Sequence, residues 1–305
     1  MKLIDFALQV DDVLKPFGKT ETLLFYAITS QSLKKYLEKK AIAAKNWIPH
    51  GNIPFIIKRG SKEEPLYVEE MSDITIEFLK TRAEIEHLND AKGKITKIQE
   101  KIWNYFLPRK LADFFYATNG ETAGKSIDRI FFDIDRGKKA TAEDAQKAAK
   151  ILLDLIDDDD SFEEVRKNFS DVLASWTGSS FHIMMFLKKS MPNSFYVENF
   201  QYSKNDPLHN FTGKWTEKLR KEGFNVTGGH EKTDYLIIDP SQTPSGKLCR
   251  IPLGSLHMKD ALTVNGVSIP LKKEMLEEKK LVEHLQEYTP KKVLEELDDL
   301  SRRLP

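Results

Sequence analysis

Apolar positions in the second half of the chain alternate between short unbroken runs and helical stripes, and that alternation predicts a strand, helix, strand order. The run IDRIFFDID, ending at Asp135, is continuous enough to be a buried strand and closes on two carboxylates. The segment TAEDAQKAAKILLDLI carries Ala145, Ala148, Ala149, Leu152, Leu153 and Ile156 on one stripe behind Thr141, a residue suited to an N-cap. It predicts an amphipathic helix with a core face. FHIMMFL predicts a second strand, Trp215 to Lys221 another helix, and DYLIID a third strand that again closes on an acid. LCRIPLGSLH predicts a last strand or turn. The acids Asp157 to Asp160 fall at a helix C-terminal end, where the macrodipole disfavours negative charge, so they are expected to end the helix and lie in solvent.

The first half is less regular. Leu33, Tyr36, Leu37 and Ala41 recur at helical spacing behind Ser30, with Lys34, Lys35, Glu38, Lys39 and Lys40 between them. An amphipathic helix is expected there, its basic face serving as ordinary solvated surface or as a grip on a nucleic-acid backbone. Phe55 to Ile57 and Leu66 to Val68 are strand candidates, and Ile95, Ile98, Ile102 and Tyr105 mark a helix that stops near Pro108. Past Pro270 the chain turns helical and charged. Thr289 and Pro290 give a capped start there, and Val293, Leu294, Leu297 and Leu300 an apolar face.

A chain of 305 residues can bury a core without a covalent staple. Its single cysteine, Cys249, excludes an intramolecular disulfide and a multi-cysteine zinc site and points to a reducing, cytoplasmic setting. No apolar run approaches the roughly 20 residues of a membrane span, and acids interrupt the N-terminus MKLIDFALQVDD, so neither a membrane nor export is expected. Lys+Arg and Asp+Glu each total 47, so the net charge is zero and gives no hint of a polyanionic partner.

Asp133 and Asp135 flank Ile134, so in a strand both acids share one face while Ile134 takes the other. Carboxylates that close repel unless a cation lies between them, and hard oxygen donors favour Mg²⁺ or Mn²⁺. Asp239 repeats the design behind Leu236, Ile237 and Ile238, and three acids suffice for two-metal phosphoryl displacement. Taken alone, Asp239 reads as the cap of a turn through Pro240 and Ser241. TGSSFHIMMF sets Ser180 and His182 two apart at a strand start, where hydroxyl and imidazole can meet a triphosphate, although a lone strand histidine is more often structural. RIPLGSLH adds Arg250 and His257, with Lys259 beyond. An arginine forks onto phosphate oxygens and stays charged when half-buried. Singly each cation is an ordinary surface group; together, behind an acid-tipped strand, they read as one pocket.

In this order FFDID, SSFHI and an acid-tipped strand followed by RIPLGSLH resemble the catalytic motifs of the archaeo-eukaryotic primase superfamily. The resemblance spans about Asp128 to Lys259, with LPRKLADFFYATNGE a weaker match upstream. RIPLGSLH is most similar to the archaeal replicative primase small subunit, whereas the separation of eleven positions between Asp239 and Arg250 is similar to that of the primase-polymerase branch. One cysteine cannot supply the zinc-binding insertion common in replicative small subunits, which favours the archaeal plasmid- or virus-type primase-polymerases.

The resemblance implies an α+β fold with an N-terminal α/β module (1–125), an RRM-like catalytic module (126–268) and a helical C-terminal segment (269–305). It implies Asp133, Asp135 and Asp239 as catalytic metal ligands for Mg²⁺ or Mn²⁺. Ser180, His182 and Arg250 would hold the triphosphate, His257 would contact the nucleotide and Lys259 would lie beside it. The implied partners are a single-stranded DNA template and dNTP or NTP, with a helicase or primase large subunit as a further candidate. The implied activity is primer synthesis and extension. Three alternatives stay open: the catalytic small subunit of a replicative RNA primase, a metal-dependent nucleotide-sugar transferase, whose Asp-x-Asp strand end looks the same, and a non-catalytic nucleic-acid-binding subunit.

Overall fold

The computed structural model describes residue 3 and residues 20–48, 53–57, 64–106, 112–258 and 264–305. The chain divides into two compact units, each assembled from separated stretches. The first takes 1–117, 250–269 and 287–304; the second takes 118–249 and 270–286, with Pro305.

The first unit opens with helix α1 (Glu21–Leu33) and strands β1 (Ala41–Ile48), β2 (Ile53–Ile57) and β3 (Leu66–Tyr67), followed by α2 (Lys97–Tyr105) and β4 (Ala112–Ala117). β1 is the hub of its sheet, antiparallel to β2, β3 and β4. The strand candidates at Phe55 and Leu66 and the helix ending before Pro108 lie close to their expected places. The helix expected from Ser30 does not: α1 begins at Glu21, buries Ser30 in its interior and ends at Leu33, and Ala41 opens β1. Thr22 through Ser30 are all buried, so α1 presents no polar face in that stretch and shows no 3.6-residue alternation to find. Lys34 to Lys39 form turns instead, ending with Lys39 at φ 58°.

In the second unit the chain runs through β5 (Ile127–Arg136), α3 (Ala142–Asp158), β6 (Phe169–Trp176), β7 (Phe181–Met191), α4 (Asn193–Asn199), α5 (Phe211–Lys221), β8 (Val226–Gly228) and β9 (Leu236–Asp239). Further along the chain lie β10 (Leu248–Arg250), then β11 (Leu256–Met258) and β12 (Val264–Val267) of the first unit, and β13 (Ile269–Leu271). The main sheet has the order β13-β6-β7-β5-β9-β8. β5 is antiparallel to both β7 and β9, while β8 joins β9 in parallel.

Thr141 caps α3 through Asp144 N, and the whole expected apolar stripe of the helix is buried. On β5, Ile130, Phe132 and Ile134 share a face by alternation and are buried. Phe132 lies 5.9 Å from Trp215 and 6.0 Å from Phe200 between ring centroids, and Phe162 closes the cluster 5.0 Å from Trp215. Burying each such side chain contributes about 1.5–3 kcal/mol. β6 has no counterpart in the expected order because Ser170, Asp171 and Val172 are exposed and break its apolar run. Near the C-terminus Thr289 caps a short helix with Pro290 at its start, and Val293, Leu294, Leu297 and Leu300 are buried as the stripe predicts. No helix among the described residues is long and apolar enough to cross a membrane.

The acidic run after α3 behaves differently from its expectation at one residue. Asp157, Asp158 and Asp160 are exposed, but Asp159 is 8% exposed. It accepts from Trp215 Nε1 (3.0 Å), Ser161 N (3.1 Å) and Ser161 Oγ (2.8 Å), with Lys218 Nζ at 2.8 Å. The α3 dipole argument holds for a solvated acid; here donors from α5 and the next turn outweigh it. Desolvation pushes the Asp159 carboxyl up, but hydrogen bonds from Lys218, Ser161 and Trp215 together draw it down to about 2. A folded pKa below the unfolded value of about 3.9 stabilises the fold above pH 4 and loses that effect as pH falls toward 2. Asp159→Asn should therefore cost about 2 kcal/mol at pH 7 and much less near pH 2.5, as urea unfolding at the two pH values would read.

Candidate active site

Strand register builds the site. Asp133 on β5 pairs across the ladder with Asp239 on β9 and, on the other side, with His182 on β7. Directly opposed residues of antiparallel strands lie about 4.5–5.5 Å apart at Cα and turn their side chains to one face. Asp133, Asp239 and His182 therefore share a face, and Asp135 joins them by alternation along β5. His182 Nε2 stands 3.3 Å from Asp133 Oδ1, and its ring meets Phe131 edge-on with centroids 4.7 Å apart.

β5 outruns β9 toward its own N-terminal end, and side chains satisfy the backbone left over. Thr243 Oγ1 accepts from Phe131 N (3.0 Å) and donates to Phe131 O (3.2 Å). Asn119 Oδ1 accepts from Asp128 N (2.8 Å) and Arg129 N (3.1 Å), while its Nδ2 donates to Arg129 O (2.8 Å) and Thr243 O. These bonds replace a missing ladder partner and hold the turn after Asp239 against β5.

Asp239 is 2% exposed. Its Oδ1 accepts from Ser241 N (2.8 Å), and its Oδ2 accepts from Ser241 Oγ (2.9 Å) and His230 Nδ1 (2.7 Å). The turn-capping role and the place on the acidic face thus coexist in one residue. Solvent still reaches Asp135, yet desolvation, then repulsion from Asp133 and Asp239, lifts its carboxyl to about 7 against the opposing pull of His230 and Lys232. Burial, and then the charge of Asp239, raises the Tyr196 phenol. Among the described residues, no three His, Cys, Asp or Glu side chains already surround a common cation position. Asp239 is turned onto His230 and Ser241 instead.

Ser180 precedes β7 and is buried, its hydroxyl donating to the Ile134 carbonyl of β5 and its amide donating to Thr177 Oγ1 at 3.0 Å. Arg250 and His257 belong to the first unit. There Arg250 Nη1 donates to Leu256 O (2.7 Å), Nη2 lies 3.5 Å from the buried carboxylate of Asp113, and the guanidinium sits over the Phe115 ring at 5.0 Å. His257 is half-buried on β11, opposite Gly266. Ser255, inside the same motif, donates through Oγ to Phe114 O (2.8 Å) and accepts from Phe114 N (3.2 Å), so part of RIPLGSLH holds the loop on β4. Lys259 lies outside the described residues.

His230, Asn119 and Tyr196 escaped the sequence reading. His230 and Asn119 act across turns, nine and ten residues from Asp239 and Arg129, and no strand or helix period links such positions. Ser241 was legible only as part of a turn.

No family model matches this sequence, and no curated protein does. Among solved structures, the chain is similar in fold to the polymerase domain of Mycobacterium tuberculosis ligase D, determined in complex with DNA. The likeness covers 95% of this chain and 94% of that one, with a TM-score of 0.55 at 14% sequence identity. The two chains share a mixed α+β fold over nearly their whole lengths.

The raised Asp135 carboxyl makes the stability of the fold depend on pH. Folded Asp135 keeps its proton up to about pH 7, whereas an unfolded aspartate releases it near 3.9, so folding loses stability as pH rises across that interval. In EDTA, Asp135→Asn should raise the melting temperature at pH 8 by a few degrees and leave it unchanged at pH 4; thermal unfolding followed by circular dichroism reads both.

Proposed function

We propose that this chain is a metal-dependent nucleotidyltransferase of the primase-polymerase kind, joining nucleotides on a single-stranded DNA template. The observation that carries the reading is the ladder pairing of Asp133 with Asp239, with Asp135 beside them, on a fold similar to a polymerase domain solved with DNA. The donor set suits a hard divalent cation: three carboxylates on one face, one of them raised to about 7 by desolvation and then by the charges of the other two. Asp133, Asp135 and Asp239 would hold Mg²⁺ or Mn²⁺, which when bound offsets phosphate charge and makes a 3′-hydroxyl easier to deprotonate.

The remaining steps belong to the chain itself. His182 steadies Asp133 and, with Ser180, offers donors to the incoming triphosphate. Arg250 takes the triphosphate-holding role that its motif implies, its guanidinium held in orientation by Leu256 and Asp113. His257 and Lys259 take the nucleotide-contacting roles that the motif implies. No covalent nucleophile is required, because alignment of the two reacting groups and neutralisation of charge supply the acceleration.

A template-directed assay with separate dNTP and NTP pools tests this. Asp133→Ala and Asp239→Asn should each lower incorporation by about a thousandfold or more with the fold intact by circular dichroism. Arg250→Ala should act mainly on KM for the nucleotide. Primer extension retained in both acid variants contradicts the reading, and turnover of a nucleotide-sugar without dNTP or NTP incorporation transfers the site to the sugar-transferase alternative.

A further inference from the structure

We infer that His230 is a positioning residue for the cation site, fixing which oxygen of Asp239 is presented to a metal; the inference rests on the metal-binding reading above. The His230 side chain is 75% exposed, yet its Nδ1 lies 2.7 Å from a carboxylate whose side chain is 3% exposed. A solvated loop imidazole has no need of that partner, and the backbone around it accounts for the contact. Gly229 has φ +86°, its N–H donates to Ile238 O on β9 at 3.0 Å, and a Cβ added there would come within 2.7 Å of the Tyr202 ring. The Gly228–Gly229 pair passes beneath Tyr202 and turns the next residue back over the end of β9, where Asp239 sits.

Counting lone pairs gives this contact its meaning. A carboxylate offers about four acceptor sites. On Asp239, Ser241 N takes one at Oδ1, and Ser241 Oγ with His230 Nδ1 takes both at Oδ2. One site remains, on Oδ1. With His230 in place Asp239 binds a cation through that single oxygen, its rotamer fixed before the cation arrives. Without His230, Oδ2 regains an acceptor site and the carboxylate is free to turn. Outer partners that orient a ligating side chain typically govern metal affinity by about 10–100-fold.

The test is direct Mn²⁺ binding to the full chain at pH 8 without nucleotide, read from the electron paramagnetic resonance signal of free Mn²⁺. Four proteins are compared: wild type, His230→Ala, His230→Asn and Asp239→Asn. Wild type should bind, Asp239→Asn should lose the site, and His230→Ala should weaken it by about 10–100-fold while its melting temperature in EDTA stays near that of wild type. His230→Asn, whose amide nitrogen sits where the ring Nδ1 sits, should recover most of the loss. Wild-type affinity in His230→Ala overturns the inference and leaves the metal reading standing. Failure of the wild type to bind, or equal affinity in Asp239→Asn, overturns both. A ¹⁴N coupling on bound Mn²⁺ that disappears in His230→Asn would make His230 a direct ligand and overturn the positioning role.

Discussion

A strand that slips by one residue turns every side chain to the opposite face, and β5 is held against that slip from both sides. Ile130, Phe132 and Ile134 are committed to the buried layer, so a shifted β5 would drive Asp133 and Asp135 into apolar packing and leave aromatic surface in water. The same register sets Asp133 across from Asp239 and beside His182. Packing energy on one face thus fixes acid geometry on the other, and the chemistry inherits the precision of the core. Asn119 and Thr243 extend that control beyond the end of β9 by bonding the backbone atoms of β5 that a longer strand would have paired.

Gathering acids on one face has an electrostatic cost that the protein distributes unevenly. Asp239, the most buried of the three, receives three hydrogen bonds, whereas Asp135 has its pKa raised by desolvation and then by repulsion from Asp133 and Asp239. Asp133 stands beside His182. Local donors thus hold Asp239 in one orientation, and among the described residues no three His, Cys, Asp or Glu side chains already converge on a cation position.

Much of this was legible from the chain alone, because alternation and helical stripes record burial directly. Thr141 caps a helix that buries the stripe from Ala145 to Ile156, so the pattern announces the helix; the strands carrying Asp135 and Asp239 are apolar runs with an acid at or next to the tip. Helix α1 was misplaced for the complementary reason: buried on every side from Thr22 to Ser30, it has no alternation, and the periodic residues after it belong to turns and a strand. Asp159 shows the limit of a local charge rule, since its donors Trp215 and Lys218 lie more than fifty residues away in sequence. The same limit hid His230 and Asn119, whose partners are chosen by loop geometry. Nor does local composition mark a unit whose segments are separated by more than a hundred residues.

The central claim is that Asp133 and Asp239 face each other in order to share a cation. Anomalous diffraction from crystals grown with Mn²⁺ tests it most directly. The account predicts a manganese peak on the β5–β9 face, with oxygens of both carboxylates about 2.0–2.2 Å from the ion. Crystals that show full occupancy of Mn²⁺ elsewhere, or no peak at saturating Mn²⁺ while Asp239 remains bonded to His230 and Ser241, would contradict it.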